Sequence, residues 1–275
     1  MTHLPFSAVV SDLDGTLLNA NHQLGVETAD TLRQLEEKGV DIILASGRNH
    51  TDMLSILNKA GVKEAAVITS NGACSYNLQG HLLCSHYLDE EIAFTLMNMP
   101  FDTTTTFVNS YQQDGWFINI DIPVMRQYHK DSNFTYQVID FKKHHGRYAE
   151  KVFFIAKAQH YLEPLEKQIE EKFGHYVSMT YSGPTCLEIM HKGVSKGSAL
   201  TRLLAKRNYQ AADCVGFGDG LNDKEMLSVV GKGCLMSNAD PRLLSLLPEL
   251  EQIGSNTEQA VNSYLRQLFA LDEPA

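Results

Sequence analysis

The spacing of apolar and polar residues predicts alternating strands and helices over the first part of the chain. Three short apolar runs have the length and composition of buried parallel strands: Ala8–Val10, Val40–Ala45 and Ala65–Ile68. Between them, residues 26–38 and 51–60 carry apolar side chains at helical spacing, and a glycine follows each segment as a stop signal. This alternation is typical of a doubly wound parallel sheet.

A different pattern, richer in aromatic and β-branched residues, occupies residues 85–190. It predicts strands at Thr103–Val108, Trp116–Ile120, Val152–Ala156 and Val177–Tyr181, with helices near 89–99 and 161–173. Asp114-Gly115 favours a hairpin turn between two of the strands. The polar segment Asp131–Tyr148 is expected to be an exposed loop or a short solvated helix. We therefore predict a separate α+β module in this part of the chain.

The strand–helix alternation resumes in residues 191–275. We predict strands at Cys214–Phe217, Gly233–Met236 and Ile253, and helices at 195–207, from Asp223 onward, at 241–247 and at 257–269. The fold class is therefore α/β, with a doubly wound, Rossmann-like parallel sheet as the core. Residues 1–84 and 191–275 would form that core, and residues 85–190 would form an inserted α+β cap domain.

Two carboxylates, Asp12 and Asp14, follow the first predicted strand and precede Gly15-Thr16. Side chains alternate along an extended segment, so both carboxylates point the same way. Two facing carboxylates repel each other unless a cation lies between them or one holds a proton. Such a pair can supply a nucleophile toward phosphorus and a general acid/base. Asp and Gly are also common turn residues, so a purely structural turn is the alternative for this stretch alone.

Three further polar loops are predicted where strands end or helices begin. They are Ser46-Gly47-Arg48, Ser195-Lys196-Gly197 and Gly218-Asp219-Gly220-Leu221-Asn222-Asp223. Ligands of doubly wound sheets bind outside the carboxyl ends of the strands. Carboxylates suit a hard cation such as Mg²⁺, whereas a hydroxyl, a lysine and glycine amides suit phosphate. The four loops together predict a site for a metal and a phosphate group.

In order and in residue type, these four loops resemble the motifs of the haloacid dehalogenase-like superfamily of phosphohydrolases. The Asp219–Asp223 loop, the Ser70–Ala73 stretch and the insertion between the second and third motifs are similar to the Cof-type branch with its α/β (type C2) cap. The resemblance covers essentially the whole chain. It implies Mg²⁺-dependent hydrolysis of small phosphorylated metabolites, with pyridoxal phosphate and sugar phosphates as leading candidate substrates.

The resemblance also implies roles for individual carboxylates. Asp12 would be the nucleophile that forms an aspartyl-phosphate, and Asp14 would be the acid/base that protonates the leaving oxygen and then activates water. Mg²⁺ would be held by the Asp12 carboxylate, the Asp14 backbone carbonyl and the Asp219 carboxylate. Asp223 would act indirectly, by steadying a bound water or Lys196.

Other residues are expected to bind phosphate or the rest of the substrate. The phosphate-binding candidates are Leu13 through its backbone N–H, Ser46, Gly47, Lys196 and Asn222. The candidate substrate contacts are Arg48 and Asn71 from the core, and Asn109, Tyr111, Trp116, Tyr181, Thr185 and Glu188 from the cap. The cap aromatics could stack on a substrate ring or fill the interior of the cap, and we favour the second interpretation.

The formal net charge of −10 at pH 7 argues against nucleic acid or an anionic membrane as a partner, because both require basic patches. The expected partner is a small phosphorylated metabolite, and monomer and homodimer both stay open. Five dispersed cysteines without a Cys-x-x-Cys pair predict reduced thiols and a cytoplasmic location. Met1–Pro5 lacks the pattern of a signal peptide, and no apolar run approaches the ~18 residues of a membrane span.

Two other functions stay open at this level. A phosphomutase would use the same pair of carboxylates but return the phosphoryl group to the substrate. A non-catalytic, phospho-accepting regulatory module, like a response-regulator receiver, would also carry an acidic strand end. It is disfavoured because such a module has a much shorter chain and no large insertion.

Overall fold

The computed structural model describes residues 4–127, 132 and 134–271, and it forms two compact units. Met1–Cys84 and Ser195–Ala275 make the first, which we call the core unit, and Ser85–Val194 make the second, the cap unit. The cap unit ends later than the predicted residue 190, because its last strand continues to His191. Residues 1–3 of the Met1–Pro5 segment, and residues 131 and 133 of the Asp131–Tyr148 segment, lie outside the described residues.

The strands are numbered in chain order. They are β1 (Ala8–Ser11), β2 (Asp41–Ala45), β3 (Ala66–Thr69), β4 (Cys74–Asn77), β5 (Leu82–Ser85), β6 (Thr106–Gln112), β7 (Gly115–Ile118), β8 (Tyr136–Val138), β9 (Ala149–Ala156), β10 (Val177–Gly183), β11 (Cys186–His191), β12 (Cys214–Gly218), β13 (Lys232–Leu235) and β14 (Glu251–Gln252). The helices are α1 (Val26–Glu37), α2 (His50–Ala60), α3 (Glu90–Met97), α4 (Glu163–Phe173), α5 (Lys196–Leu204), α6 (Lys224–Val229), α7 (Pro241–Leu246) and α8 (Ala260–Leu268).

The core sheet has the strand order β14-β13-β12-β1-β2-β3-β4-β5. β1 lies at its centre and pairs in parallel with β2 on one side and β12 on the other. The chain runs from β1 to β3 in one direction and later from β12 to β14 in the opposite direction. The order therefore reverses between β1 and β12, and a crevice forms at such a reversal in doubly wound sheets. This topology confirms the predicted α/β fold class.

The central strands of the core sheet are buried along their whole length. Every residue of β1, β3 and β12 is buried, as expected for parallel strands that are covered on both faces. α5 packs against α6, and α1 packs against α8. One apolar cluster joins Val10, Ile43 and Ile68 of the sheet to helical residues such as Leu200 and Leu227. This rigid layer fixes the positions of the loops at the strand ends.

β3 is followed by a reversal of the chain rather than by a helix. Ser70–Gly72 form a short 3₁₀ turn, and β4 then runs antiparallel to β3. The sequence pattern did not predict β4 or β5, because each has only four residues of mixed polarity. The two strands extend one edge of the core sheet, next to the strand that ends at the Ser70 turn.

The cap unit contains a sheet with the order β10-β11-β9-β6-β7-β8, together with α3 and α4. β6 and β7 form the predicted hairpin, but Gln112 pairs with Gly115, so the turn is Gln113-Asp114. The sequence pattern missed β11, whose residues do not alternate clearly. It was also wrong about the segment before Tyr148, where β8 forms and where Tyr136 and Phe141 are buried.

The cap sheet has two chemically different faces. Val108 and Phe154 pair across β6 and β9, and the Phe154 ring contacts Phe101, which follows α3. The opposite face carries a buried aromatic cluster that includes Tyr111, Trp116, Tyr136 and Phe153. Within the described ranges, no helix is both long enough and apolar enough to cross a membrane.

Candidate active site

Backbone hydrogen bonds bring the predicted loops of the core unit together at one edge of the sheet. The Asp12 N–H donates to the Phe217 carbonyl over 3.0 Å, which continues the β1–β12 ladder past the end of β1. The Ser46 N–H donates to the Ile68 carbonyl over 2.9 Å, and the Asn71 N–H donates to the Ser46 carbonyl over 3.0 Å. The loops after β1, β2, β3 and β12 are therefore neighbours, although they are far apart in sequence.

The loop after β1 lies tightly against Asp219. Gly15 has a φ of +77°, and a Cβ at this position would lie 2.3 Å from Asp219 Oδ2. Thr16 Oγ1 donates to Asp219 Oδ1 over 2.7 Å. Leu13, which was predicted to bind phosphate through its backbone N–H, is fully buried in this loop. Glycine is needed at position 15 because a left-handed φ and a close approach coincide there.

Lys196 is a buried counter-ion at the start of α5. Its Nζ donates to Asp12 Oδ1 and to Asp223 Oδ1, each over 2.7 Å, and its side chain is 0% exposed. Ser195 caps the helix by accepting the Ser198 N–H over 3.1 Å, which fixes the first turn that carries the lysine. Burial alone would lower the pKa of Lys196, but the two carboxylates outweigh it and raise that pKa. Lys196 is therefore a fixed positive charge.

Asp223 orders the loop after β12. One of its oxygens, Oδ2, accepts the N–H groups of Asp219 and Gly220 over 3.0 and 2.9 Å, while Oδ1 accepts from Lys196. Both oxygens thus have partners within the protein. Asp223 thereby orients Asp219 and Lys196, and its indirect role at a metal site stays a prediction.

The carboxylates of the site fit a divalent cation. Oxygen atoms of Asp12, Asp219 and Asp223 lie within 4.8 Å of one another. Burial and the Asp223 carboxylate raise the pKa of Asp12 well above its usual range, and the same two causes raise the pKa of Asp219 to about 7. One lysine therefore faces three acids, and the excess negative charge is what a cation would offset. An all-oxygen donor set of this kind suits a hard ion.

Asp14 is held by an arginine. Arg48 Nε donates to Asp14 Oδ2 over 2.6 Å, and Arg48 Nη2 donates to Oδ1 over 2.7 Å. His22 Nδ1 lies 3.1 Å from the same Oδ1, and Arg48 also pairs with Asp52. Burial would raise the pKa of Asp14, but the hydrogen bonds from Arg48 and His22 hold it well below its usual range. Arg48, predicted as a substrate contact, thus contacts the predicted acid/base in this structure.

Asn222, another predicted phosphate ligand, contacts a strained turn at residues 70–72. Ser70, Asn71 and Gly72 have φ values of 49°, 58° and 106°, and a Cβ on Gly72 would lie 2.3 Å from the Ser195 carbonyl oxygen. Successive left-handed residues are costly and are concentrated at functional sites. Asn71 Oδ1 accepts a hydrogen bond from Asn222 Nδ2 over 3.1 Å. Asn71 thereby orients Asn222, besides being a predicted substrate contact itself.

Ser46 and Gly47 occupy the turn after β2. The Ser46 side chain is buried, and its Oγ accepts the Arg48 N–H over 3.2 Å. This hydrogen bond closes the Ser46-Gly47-Arg48 turn and ties the predicted phosphate ligand Ser46 to the arginine that holds Asp14. Ser46, a predicted phosphate ligand, and Asp14, the predicted acid/base, are thus linked through Arg48.

The predicted cap contacts divide between the two faces of the cap sheet. Asn109 pairs with Phe153, which pairs with Glu188, so all three share one face. Trp116 Nε1 donates to Asn109 Oδ1 over 2.9 Å, on that same face. Tyr181 points to the other face, where its hydroxyl donates to Glu166 of α4 over 2.8 Å. Because this hydroxyl has a structural partner, the geometry gives Tyr181 a packing role.

Two more of the predicted cap residues have backbone or packing contacts. The Thr185 carbonyl accepts the Ala156 N–H over 3.0 Å in the turn between β10 and β11. The Tyr111 ring meets Trp116 and Phe153 edge-on, with ring centroids 5.7 and 5.0 Å apart. This packing agrees with the interpretation that the cap aromatics fill the interior of the cap.

A buried ion pair in the cap unit was missed from the sequence. Lys151 pairs with Glu188, and their side chains are 3% and 4% exposed. Lys151 Nζ also lies 4.7 Å from the ring centroids of both Tyr111 and Phe153. Nothing in the local sequence distinguishes this lysine from a solvated strand lysine, because its partner lies 37 residues further along the chain.

Two asparagines that fasten the loop after β1 were also missed. Asn238 Nδ2 donates to the Gly15 carbonyl over 2.8 Å, and Asn256 Nδ2 donates to the Leu18 carbonyl over 2.9 Å. The Asn256 N–H in turn donates to Asn238 Oδ1 over 3.1 Å. Both residues sit in a Ser-Asn pair shortly after a strand, and this recurring dipeptide is the signal that could have identified them.

Comparison with known proteins agrees with this geometry. The family model of haloacid dehalogenase-like hydrolases matches residues 9–265. A Haemophilus influenzae protein named as an inferred phosphatase is 57% identical over 270 residues, which cover 98% of this chain and 99% of that protein.

Solved structures with the same fold include two relatives of low identity. A haloacid dehalogenase-like hydrolase from B. subtilis superposes with a TM-score of 0.84 at 23% identity, covering 95% of this chain and 99% of that one. A sugar phosphatase of subclass IIB superposes with a TM-score of 0.80 at 16% identity, covering 97% and 100%. The chain belongs to the haloacid dehalogenase-like hydrolases, and it is an enzyme.

Proposed function

We propose that this enzyme is a Mg²⁺-dependent phosphatase of small phosphorylated metabolites. The observation that carries the proposal is the buried Lys196, which bridges Asp12 and Asp223 at 2.7 Å while Asp14 lies two residues from Asp12. Asp12 would serve as the nucleophile, Lys196 as its counter-ion and Asp14 as the acid/base. The match to the hydrolase family supports the proposal, and so does the phosphatase name of the Haemophilus influenzae relative.

The residues would perform two displacements at phosphorus. An Asp12 oxygen forms a bond to phosphorus while the bond to the leaving oxygen breaks, and that oxygen takes a proton from Asp14. Because Arg48 keeps the pKa of Asp14 low and the group ionised, Asp14 would first take up that proton from the phosphate group of a monoanionic substrate. Water then attacks the aspartyl-phosphate and gives a proton to Asp14, which releases phosphate and restores the Asp12 carboxylate. Lys196, which already contacts Asp12, stabilises the negative charge on the transferring group.

Phosphate would be bound by groups that the loops hold in place. These groups are the backbone N–H of Leu13, the Ser46 hydroxyl, the Gly47 N–H, the Lys196 ammonium and the Asn222 amide. Asp12, Asp219 and the Asp14 carbonyl would hold Mg²⁺, which when bound supplies positive charge against the phosphate oxygens. The three acids that face one lysine support this assignment.

Pyridoxal phosphate and sugar phosphates are the proposed substrate classes. The stretches Phe217–Gly220, Gly231–Cys234 and Ile253–Asn256 resemble the bacterial YigL protein, a pyridoxal phosphate phosphatase. One neighbour in fold is a sugar phosphatase. We further propose that the enzyme acts in the cytoplasm on free metabolites.

The proposal is tested by phosphate release from a panel of phosphomonoesters, with Mg²⁺ and with chelator. The panel contains pyridoxal phosphate, hexose phosphates, nucleotides, flavin mononucleotide and p-nitrophenyl phosphate. We expect metal-dependent release from the wild-type protein and none from a folded Asp12→Asn variant. Retained release in that variant would contradict the nucleophile assignment. An isomerised sugar phosphate in place of free phosphate would identify a phosphomutase instead.

A second variant separates the two carboxylates. Asp14→Asn should still form the aspartyl-phosphate from p-nitrophenyl phosphate, because nitrophenolate leaves without a proton. The intermediate should then accumulate, because its hydrolysis lacks a base. Mass spectrometry after acid quenching would detect the added phosphoryl group, and its complete absence would show that the two roles are divided wrongly.

A further inference from the structure

The Arg48 guanidinium is fully engaged by two carboxylates of the core unit. Two of its nitrogens form a fork on Asp14, at 2.6 and 2.7 Å, and the third pairs with Asp52. The Arg48 side chain is 15% exposed and that of Asp52 is 3% exposed, so this part of the arrangement is largely shielded from water. A bidentate arginine fixes both the position and the plane of a carboxylate.

The chain of contacts begins at a rigid element. Asp52 lies in the first turn of α2, and its N–H donates over 3.1 Å to the side chain of Asn49, the N-cap residue of that helix. Asp52 holds Arg48, and Arg48 holds Asp14. Through these two contacts, the position of the predicted acid/base Asp14 is fixed by α2, the helix that follows β2 in the sequence.

Asp14 depends on Arg48 and Asp52 because few other contacts hold its side chain in place. It precedes Gly15 in a loop, and its side chain is 40% exposed. Among the residues that the structure describes, its carboxylate accepts hydrogen bonds only from Arg48 and His22. His22 is itself 72% exposed, so Arg48 is the anchored partner of the two.

We propose that Arg48, held by Asp52, is a positioning residue that aims the Asp14 carboxylate at the leaving oxygen of the substrate and at the attacking water. The inference rests on the proposed phosphatase function and assigns Arg48 a different task from the substrate contact expected from the sequence. A contact to substrate binds the ground state, whereas a positioning residue acts only through the group that it holds.

Leaving-group dependence distinguishes the two tasks. An alkyl phosphate needs a proton that passes through Asp14 when its oxygen leaves, whereas nitrophenolate does not. The Arg48 charge opposes the protonation of Asp14, so its removal alone would favour this proton transfer, and a loss of kcat/KM would therefore report the lost position of the carboxylate. kcat/KM reports the steps up to loss of the leaving group. For Arg48→Gln we expect kcat/KM to fall about 10- to 100-fold with the best hexose phosphate of the panel, the loss typical of a misplaced catalytic group. With p-nitrophenyl phosphate the fall should be less than about 3-fold. Equal losses with both substrates would overturn the proposal.

A double-mutant test adds an independent readout. If Arg48 acts through Asp14, adding Arg48→Gln to Asp14→Asn should change kcat/KM for the hexose phosphate by less than about 3-fold. The same loss in both backgrounds would show that Arg48 acts on the substrate directly. Asp52→Asn should show the same dependence on leaving group as Arg48→Gln, with a smaller loss. Equal effects on both substrates would exclude Asp52 as the anchor.

The controls address charge and folding. Arg48→Lys keeps the charge but not the fork, so it should not restore kcat/KM for the hexose phosphate, and full rescue would overturn the positioning role. Arg207→Gln removes another arginine of the core unit, which pairs with Asp41 at the opposite end of β2, and it should leave both substrates unaffected. Thermal unfolding of each variant identifies the folded ones, and Arg48→Lys carries the test if Arg48→Gln is unfolded. If phosphate release still requires Asp12 but the Arg48 and Asp52 variants do not show the expected losses of kcat/KM, only the positioning role of Arg48 is refuted.

Discussion

Lys196 of the core unit and Lys151 of the cap unit are both buried lysines, with side chains 0% and 3% exposed, but their surroundings differ in charge. Lys196 touches two carboxylates, Asp12 and Asp223, and Asp219 lies close to both. Lys151 pairs with Glu188 and lies over two aromatic rings. Acids outnumber the cation in the first case, whereas in the second the single charges of Lys151 and Glu188 offset each other.

The difference distinguishes a candidate metal and phosphate site from a structural ion pair. Excess negative charge around Lys196 would favour a further cation, and burial together with the Asp223 carboxylate raises the pKa of Asp12 and Asp219. A balanced, buried pair such as Lys151–Glu188 needs no further ion. Its contribution to stability is small, because the cost of removing both charges from water offsets much of their attraction.

The largest expected effect is on activity, from removal of the core lysine. Lys196→Met should reduce kcat/KM about 1000-fold, because the nucleophile loses its counter-ion and the phosphate loses a positive charge. Lys151→Met is the matched control and should change the rate with p-nitrophenyl phosphate less than about 5-fold at 25 °C. Phosphate release by the two variants measures the contrast, and similar losses in both would remove the distinction between the lysines.

The next effect is on stability, from breaking the cap pair on one side. Lys151→Met leaves Glu188 buried without its cation and should lower the free energy of unfolding by about 3 kcal/mol. Urea denaturation measures the change. Lys167→Met, at a lysine that is 80% exposed, should stay within about 0.5 kcal/mol of wild type. A Lys151 variant as stable as this control would show that the pair is not isolated from water.

Replacing both members of the cap pair should have a smaller effect than replacing one. In Lys151→Met with Glu188→Leu, no charge is left buried, and the methionine can still pack against the two rings. We expect the free energy of unfolding to return to within about 1 kcal/mol of wild type. A double variant as unstable as the single one would mean that packing, rather than the unpaired charge, causes the loss.

The remaining effect is the pH dependence of metal stabilisation. The pKa of Asp219 is raised from 3.8 to about 7, so this group disfavours the metal-free fold increasingly as the pH rises through that range. Below pH 7 a cation must also displace a proton. The stabilisation by a fixed Mg²⁺ concentration should therefore be larger at pH 8 than at pH 5.5, by at most about 2 kcal/mol. Thermal unfolding measures it, and Asp219→Asn should make the difference smaller, whereas Asp12, whose pKa is also raised, still contributes to it.

Local patterns were sufficient for the core strands β1, β2, β3, β12 and β13 and for the polar loops at their ends. Asp12, Ser46 and Asp219 each come after a short apolar run, and parallel strands place their carboxyl ends at one edge, so their proximity follows from the fold class. Short strands of mixed polarity, such as β4 and β8, lack a periodic signal, and a solvated loop is equally compatible with their composition.

Side-chain partners were the part that the sequence could not specify. Arg48 could have faced substrate phosphate or a carboxylate, and only the structure shows its fork on Asp14, 34 residues earlier. Lys151 has the same limitation, since a strand lysine is usually solvated. In both cases the partner of the side chain depends on which remote segments of the chain lie close together in the fold. Residue type and sequence spacing do not contain this information.

The bond between Lys196 and Asp12 joins residues that are 184 positions apart, and this separation has a consequence for how the enzyme is made. A ribosome that adds 5–20 residues per second delivers the lysine ~10–40 s after the aspartate. During that interval the nascent chain has the aspartate pair but lacks the Lys196 ammonium group that contacts Asp12, and the whole cap unit is synthesised before Lys196 emerges. Activity is therefore expected only late in synthesis, and a prematurely terminated chain would be an inactive by-product rather than an unregulated hydrolase.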